Sequence, residues 1–144
     1  MAENVTIKFK KLSDRAIIPR FAFQDDACFD LFSPVDGVIH PQKSIIIDLE
    51  IASEFPTGYE VVLRPRSGLG IKKEIMIHLG TIDSGYRGNW IVRLFNFSNQ
   101  PYSIQAGDRI AQGALRAIPK VYIVECDDLT PSPRGVNGLG STGR

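Results

Sequence analysis

Histidine, cysteine and net charge are all scarce in this chain, and each scarcity removes a class of function. The 144 residues hold two histidines, His40 and His78, and two cysteines, Cys28 and Cys126, with no CxxC spacing. A zinc-ligand cluster is therefore excluded. The cysteines stand far apart, and they read as two free thiols rather than a disulfide. Lys and Arg number 17 against 16 Asp and Glu, a formal net charge of +1. Without a basic excess there is no broad footprint for nucleic acid or a membrane surface, so any polyanion site must be local, made from a few placed Arg or Lys. No apolar run approaches the ~20 residues of a membrane span. The opening MAENVTIKFK alternates polar and apolar residues and lacks the apolar heart of a signal segment. These absences predict a cytoplasmic protein that partners neither nucleic acid nor membrane.

What is present is an ordinary globular composition, 43% hydrophobic and 23% charged, at a length that suits one domain with one core. Short alternating or β-branched runs recur: VTIKFKKL (5–12), SIIIDLEI (44–51), YEVVLRP (59–65), WIVRLFNF (90–97) and KVYIVEC (120–126). Turn-formers punctuate them at SPVDG, EFPTG, SNQP and QAGD. This pattern predicts an all-β sandwich or barrel. RIAQGALRAI (109–118) contains Gly113 and follows an AGD turn, so it reads as strand rather than helix, while GLGIKKE (68–74) has room for one helical turn. From Pro131 the Pro, Ser and Gly content marks a flexible arm. The expected division is a β core over 1–133 and a glycine-rich arm over 134–144.

Five stretches carry chemistry. DACFDL (26–31) places Asp26 and Asp30 around an apolar interior; alone, Asp30 reads as a turn cap. RPRSGLG (64–70) joins guanidinium, hydroxyl and glycine at a strand end, a set suited to phosphate: a bidentate Arg, a hydroxyl donor, and a Gly permitting close backbone approach. Its Ser67 is no hydrolase nucleophile, since Pro65 stands where a G-x-S-x-G elbow needs its first glycine. GTIDSGYRGNW (80–90) reads as a hairpin with Ser84-Gly85 at its tip, flanked by Asp83 and Tyr86. AGDRIAQGAL (106–115) carries Asp108, Arg109 and Gln112, an Asp–Arg pair that reads as structural beside a surface Gln. The end, RGVNGLGSTGR (134–144), approaches a P-loop in Gly135-x4-Gly140-Ser141-Thr142 but has no Lys and no room for the helix that should follow.

In sequence order, ACFDL, PRSGLG, GTIDSGYRG, AGDRIAQ and RGVNGLGSTG resemble all five motifs of the trimeric dUTP pyrophosphatase (dUTPase) family, a likeness running from Ala27 to Gly143. The resemblance implies a β jelly roll (a distorted β-barrel) with a C-terminal arm, a homotrimer with sites shared between subunits, and hydrolysis of dUTP to dUMP and pyrophosphate with Mg²⁺. It implies Asp83 as the general base for a water attacking the α-phosphorus, with Gln112 orienting that water. Arg66, Ser67 and Gly68 would hold the phosphate chain, and Asp30 would steady Mg²⁺ through water. Backbone groups from Gly80, Thr81, Ile82 and Asp83 to Tyr86, with Ile91, would read uracil in a hairpin too tight for thymine's methyl, and Tyr86 would lie against the deoxyribose. Arg134 would reach the γ-phosphate, Gly140, Ser141 and Thr142 would donate to it from the backbone, and Leu139 would cap the base.

The sequence departs from that family pattern at several points. Cys28 stands for a usual Gly, Phe29 for Tyr, Gly70 for Ala, Asn137 for Gly and Leu139 for the stacking Phe; His78 and Leu79 occupy the neighbourhood of an Asn often found before the third motif. Two other readings share the fold. A dCTP deaminase-like enzyme uses Glu where Asp83 stands, and a nucleotide-sensing regulatory protein binds without necessarily turning over.

Overall fold

A computed structural model describes residues 4–143. Residues 1–3 of the expected core and Arg144, the end of the expected arm, lie outside the described residues. The described residues form eleven strands: β1 (Lys8–Lys11), β2 (Phe29–Phe32), β3 (Gly37–Ile39), β4 (Ser44–Asp48), β5 (Ile51–Glu54), β6 (Tyr59–Arg64), β7 (Ile75–Ile77), β8 (Thr81–Asp83), β9 (Ile91–Asn96), β10 (Tyr102–Ile104) and β11 (Arg109–Ala117). One π-helical turn, Gly68–Lys72, sits between β6 and β7. Every recorded pairing is antiparallel, in ladders ordered β1-β5, β10-β3, β2-β11-β6-β8 and β4-β9-β7. The fold is the expected all-β, jelly-roll-like one.

Alternation makes the core. On β9, Val92, Leu94 and Asn96 turn inward while Ile91 and Arg93 face out; on β6, Val61 and Leu63 are buried and Arg64 is not. Trp90, Leu31, Ile39, Ile75 and Ile110 join them among the fully buried side chains. Asn96, a polar side chain deep in this interior at a strand end, is satisfied: its Nδ2 donates to the carbonyls of Ile39 and Gln100, and its Oδ1 accepts from Ser98 N–H and Oγ.

Three expected elements differ, each for a physical reason. SIIIDLEI is two strands, because Glu50 takes φ 55° and its N–H is captured by Asp48 Oδ1 at 2.7 Å, bending the chain between β4 and β5. GTIDSGYRGNW turns at Ser84-Gly85, with Tyr86 N–H donating to the Asp83 carbonyl. It is not a paired hairpin: β8 joins β6, whereas β9 joins β4 and β7. The third is KVYIVEC, which finds no strand partner among the described residues, and Val121, Tyr122, Ile123 and Val124 are all exposed. A strand exists only by pairing, and β11 is already flanked on both sides by β2 and β6. The expected strand at RIAQGALRAI and the helical turn within GLGIKKE are both present. No helix among the described residues is long and apolar enough to cross a membrane.

Candidate active site

The four-stranded ladder sets out the chemistry in rows. Asp30 on β2 lies opposite Gln112 on β11, which lies opposite Arg64 at the end of β6. Immediately beyond that end come Pro65, Arg66 and Ser67. Asp30 does not cap a turn. Its carboxylate is nearly buried and bridges two guanidiniums, Arg66 Nε at 3.3 Å from Oδ1 and Arg109 Nε at 3.0 Å from Oδ2. Arg109 thus pairs with Asp30 rather than with its neighbour Asp108, whose carboxylate instead accepts the Gln105 N–H and closes the AGD turn. Phe32 lies under both Arg20 and Arg109, 4.5 and 5.4 Å from the ring centroid, an arrangement that holds cations in place without neutralising them.

Ala22, Asp26, Ala27, Cys28, Asp30, Arg66, Ser67 and Gln112 line a cavity of about 290 Å³ here. Gln112 Nε2 donates to the Pro65 carbonyl at 2.9 Å, which fixes the amide and leaves its Oε1 free to accept. Ser67 opens the π-helical turn with its hydroxyl making no capping bond. A Cβ on Gly68 would meet nothing within 4 Å, so the protein's own packing does not require glycine there. The two cysteines are free, and Cys28 stands in this wall.

A second cavity, of about 210 Å³, lies between β8 and the start of β9, lined by Leu63, His78, Gly80, Thr81, Ile82, Asp83, Tyr86, Asn89 and Ile91. Leu63 N–H donates to the Gly80 carbonyl at 2.8 Å, which makes Leu63–Gly80 and, two residues on, Val61–Ile82 the hydrogen-bonded pairs of the β6–β8 ladder. Thr81 and Asp83 are then the non-hydrogen-bonded positions, whose backbone groups turn away from β6. The Asp83 carboxylate is exposed and makes no hydrogen bond or ion pair with the described residues.

Tyr86 is held over the turn. Its hydroxyl donates to the Asn89 carbonyl at 3.0 Å, and Asn89 Nδ2 donates to Asp48 Oδ2 at 2.6 Å. Arg87 braces the same turn, donating to the carbonyls of Ser84 (2.6 Å), Ser53 and Tyr86 (both 3.3 Å). Gly88 leaves room for the ring: a Cβ there would sit 2.6 Å from Tyr86 Cζ. Sequence reasoning missed Asn89, which lines the second cavity, and Arg20, Arg87 and Arg109, which contact residues of the two sites from outside their linings; only Arg109, inside AGDRIAQ, stood in a motif that drew notice for its charge.

The two cavities share no lining residue. Asp83 faces Glu60, four residues along β6 from Arg64, and two strands from Gln112. At ~3.4 Å per residue and ~4.8 Å per strand, Asp83 and Gln112 of one chain are roughly 16 Å apart. The chain brings Asp30, Arg66, Ser67, Gly68 and Gln112 together, and separately Gly80, Thr81, Ile82, Asp83, Tyr86 and Ile91. It does not bring the two groups to each other.

The tail forms a third region. Residues from 119 to 143 are unpaired and exposed. Arg134 Nε donates to the Asn137 carbonyl at 3.0 Å, and tight turns follow at Ser141→Gly138 and Gly143→Gly140, with Gly135, Gly140 and Gly143 at positive φ. Leu139 is fully exposed, and Arg134, Gly140, Ser141 and Thr142 touch neither cavity.

One cavity holding Arg66 against Asp30, with Arg109 on the carboxylate's other oxygen, and a second cavity along β8 thus sit apart on an all-β, jelly-roll-like fold. The chain belongs to the dUTPase family, whose sequence model matches residues 14–143. It is 41% identical over 140 residues to the deoxyuridine 5'-triphosphate nucleotidohydrolase of Nautilia profundicola, covering 96% of this chain and 99% of that one. It is 40% identical over 141 residues to the enzyme of the same name from Clostridium tetani, covering 96% and 97%. Among solved structures it resembles a variant of the dUTPase of Staphylococcus bacteriophage 80alpha with dUpNHpp: TM-score 0.89, 28% identity, 96% and 99% coverage. It also resembles a variant of the phage phi11 dUTPase of S. aureus that coordinates a structural Mg(II) ion: TM-score 0.82, 26% identity, 88% and 99% coverage.

Proposed function

We propose that this protein is a cytoplasmic homotrimeric hydrolase that converts dUTP to dUMP and pyrophosphate, each site assembled from two or more subunits. The observation that carries the proposal is the separation of the two cavities. One suits a polyphosphate, the other a flat polar base, and Asp83 and Gln112 of a single chain stand too far apart to act on one water. In a closed threefold assembly the β8 cavity of one subunit meets the arginine cavity of its neighbour. The uncovered run Val121–Tyr122–Ile123–Val124 supports assembly as well, since a contiguous exposed apolar stretch is costly in a monomer.

In this reading Asp83, exposed and unpaired, draws the proton from a water that a neighbouring Gln112 Oε1 orients toward the α-phosphorus; such proton transfer contributes ~10²–10⁴-fold. Arg66 turns from Asp30 toward phosphate, Asp30 remaining paired with Arg109, and Ser67 and the backbone at Gly68 donate to the chain. Thr81 and Asp83 present backbone donors and an acceptor to the uracil edge beside Ile82 and Ile91, and Tyr86 lies against the sugar. Arg134 and the N–H groups at Gly140, Ser141 and Thr142, in a segment where Gly140 and Gly143 take positive φ, close on the γ-phosphate, with Leu139 over the base.

The donor set suits Mg²⁺ carried by the substrate. No cluster of three His, Cys, Asp or Glu able to hold a metal occurs among the described residues, and Asp30, already bridging two arginines, suits contact through water. When bound, Mg²⁺ supplies charge neutralisation for the departing pyrophosphate.

A nucleotide panel with Mg²⁺ tests the reading. Expected is dUMP and pyrophosphate from dUTP, with little from dCTP, dTTP or UTP. Deaminated product from dCTP indicates the deaminase reading, and tight dUTP binding without turnover indicates a sensor; either sinks the proposal.

A further inference from the structure

We infer that His78 reads the base, its Nε2–H donating to O4 of uracil. The inference rests on the dUTP reading above and names the contact by which that reading rejects cytosine.

His78 follows β7 directly and is tied to one residue of β9 at two points. Its backbone N–H donates to the Arg93 carbonyl at 3.1 Å, and its Nδ1 accepts the Arg93 N–H at 3.1 Å. A neutral imidazole accepting at Nδ1 carries its proton on Nε2, so the ring is fixed in both orientation and tautomer. Its far edge lies across Gly80, where a Cβ would come within 2.8 Å of Nε2 and 3.3 Å of Cδ2. Gly80 is thus the seat of the imidazole as well as the start of β8.

Nε2 has no hydrogen-bond partner among the described residues, yet no buried side-chain polar atom among them lacks one. The nitrogen is therefore open to solvent, and His78 lines the β8 cavity. It stands at the opposite end of β8 from Tyr86. With Tyr86 against the sugar, the base extends along β8 away from the turn, so the edge remote from the glycosidic bond, N3 and O4, arrives at His78 and Gly80. A fixed N–H there meets a carbonyl in uracil and an amino group in cytosine; the second sets donor against donor.

Two measurements test this. The dUTP:dCTP ratio of kcat/KM should fall about tenfold in His78→Phe, through KM with kcat little changed, and recover in His78→Gln, which restores an N–H donor. In ¹⁵N NMR of the parent protein, saturation with dUpNHpp should move the His78 Nε2 resonance while leaving that of His40 in place. A folded His78→Phe whose ratio stays within twofold of the parent, or a His78 ring unmoved by dUpNHpp, overturns the inference. Parent protein that does not turn over dUTP counts against the functional reading alone; the ring's response to dUpNHpp still decides the role of His78.

Discussion

The arginine cavity and the β8 cavity are built by opposite means. The first is built from side chains that hold one another: Asp30 between Arg66 and Arg109, Gln112 pinned to the Pro65 carbonyl. Tyr102, outside its lining, has its hydroxyl pKa raised by burial and then by Asp108, with Arg66 pulling the other way. The second is built from backbone, freed by the alternation of the β6–β8 ladder, while its side chains serve chiefly to hold the turn: Arg87 on Ser84, Ser53 and Tyr86, and Asn89 on Asp48. A polyphosphate needs charge and tolerates side-chain adjustment. A base edge needs fixed donors and acceptors, and the backbone of a braced strand supplies them with the least conformational freedom.

The largest expected effect falls on the β8 side. Asp83→Asn keeps shape and removes basicity, so dUTP should still bind while kcat falls ~10²-fold or more; near-normal turnover makes Asp83 structural. Next is removal of 134–144, which takes away Arg134 and the Gly-Ser-Thr backbone donors together. At about tenfold or more for a lost charged contact, kcat/KM should drop by roughly 10²-fold. Limited proteolysis should cut the arm freely in the absence of nucleotide and poorly with dUpNHpp.

The same small substitution placed in each cavity sharpens the comparison. Gly68→Ala enters open space, so thermal stability should hold or rise slightly while KM for dUTP increases about tenfold. Gly88→Ala must displace the Tyr86 ring; the preference for dUTP over UTP should fall about tenfold, and inhibition by pyrophosphate should not change. Exchange of these two phenotypes would reverse the assignment of the cavities.

The smallest effect lies outside both. Hydrogen bonds from Arg15, then Ser13, hold the Glu50 carboxyl well below the ordinary carboxylate range, at about 2. A carboxyl depressed on folding stabilises the native state above its unfolded value and loses that contribution as pH falls toward the folded one. Glu50→Gln should therefore flatten the fall in Tm between about pH 4.5 and 2 and leave neutral-pH turnover unchanged.

The strands at YEVVLRP and WIVRLFNF were legible because alternation is a property of sequence; the pairing of Asp30 with Arg66 and Arg109 was not, because charge alone read Asp30 as a turn cap and Arg109 as the partner of Asp108. KVYIVEC read correctly as β-prone but not as unpaired, since pairing depends on partners that no local window contains. The separation of Asp83 from Gln112 was invisible for the same reason: it follows from register, with Asp83 against Glu60 and Gln112 against Arg64. His78 carried no signal beyond standing near an expected Asn, because its tautomer is set by Arg93, 15 residues away.

Co-expression of two crippled chains tests the shared site most directly. Asp83→Asn disables the β8 cavity; Arg66→Ala disables the arginine cavity and leaves Asp30 still paired with Arg109. Each variant alone should be nearly inactive. In a random equal mixture, a site drawing one cavity from each of two neighbours is intact in about one case in four, so the co-expressed protein should recover about a quarter of parental dUTP turnover. Turnover no greater than that of the separate variants, or full activity in a parent that light scattering shows to be monomeric, would contradict the account.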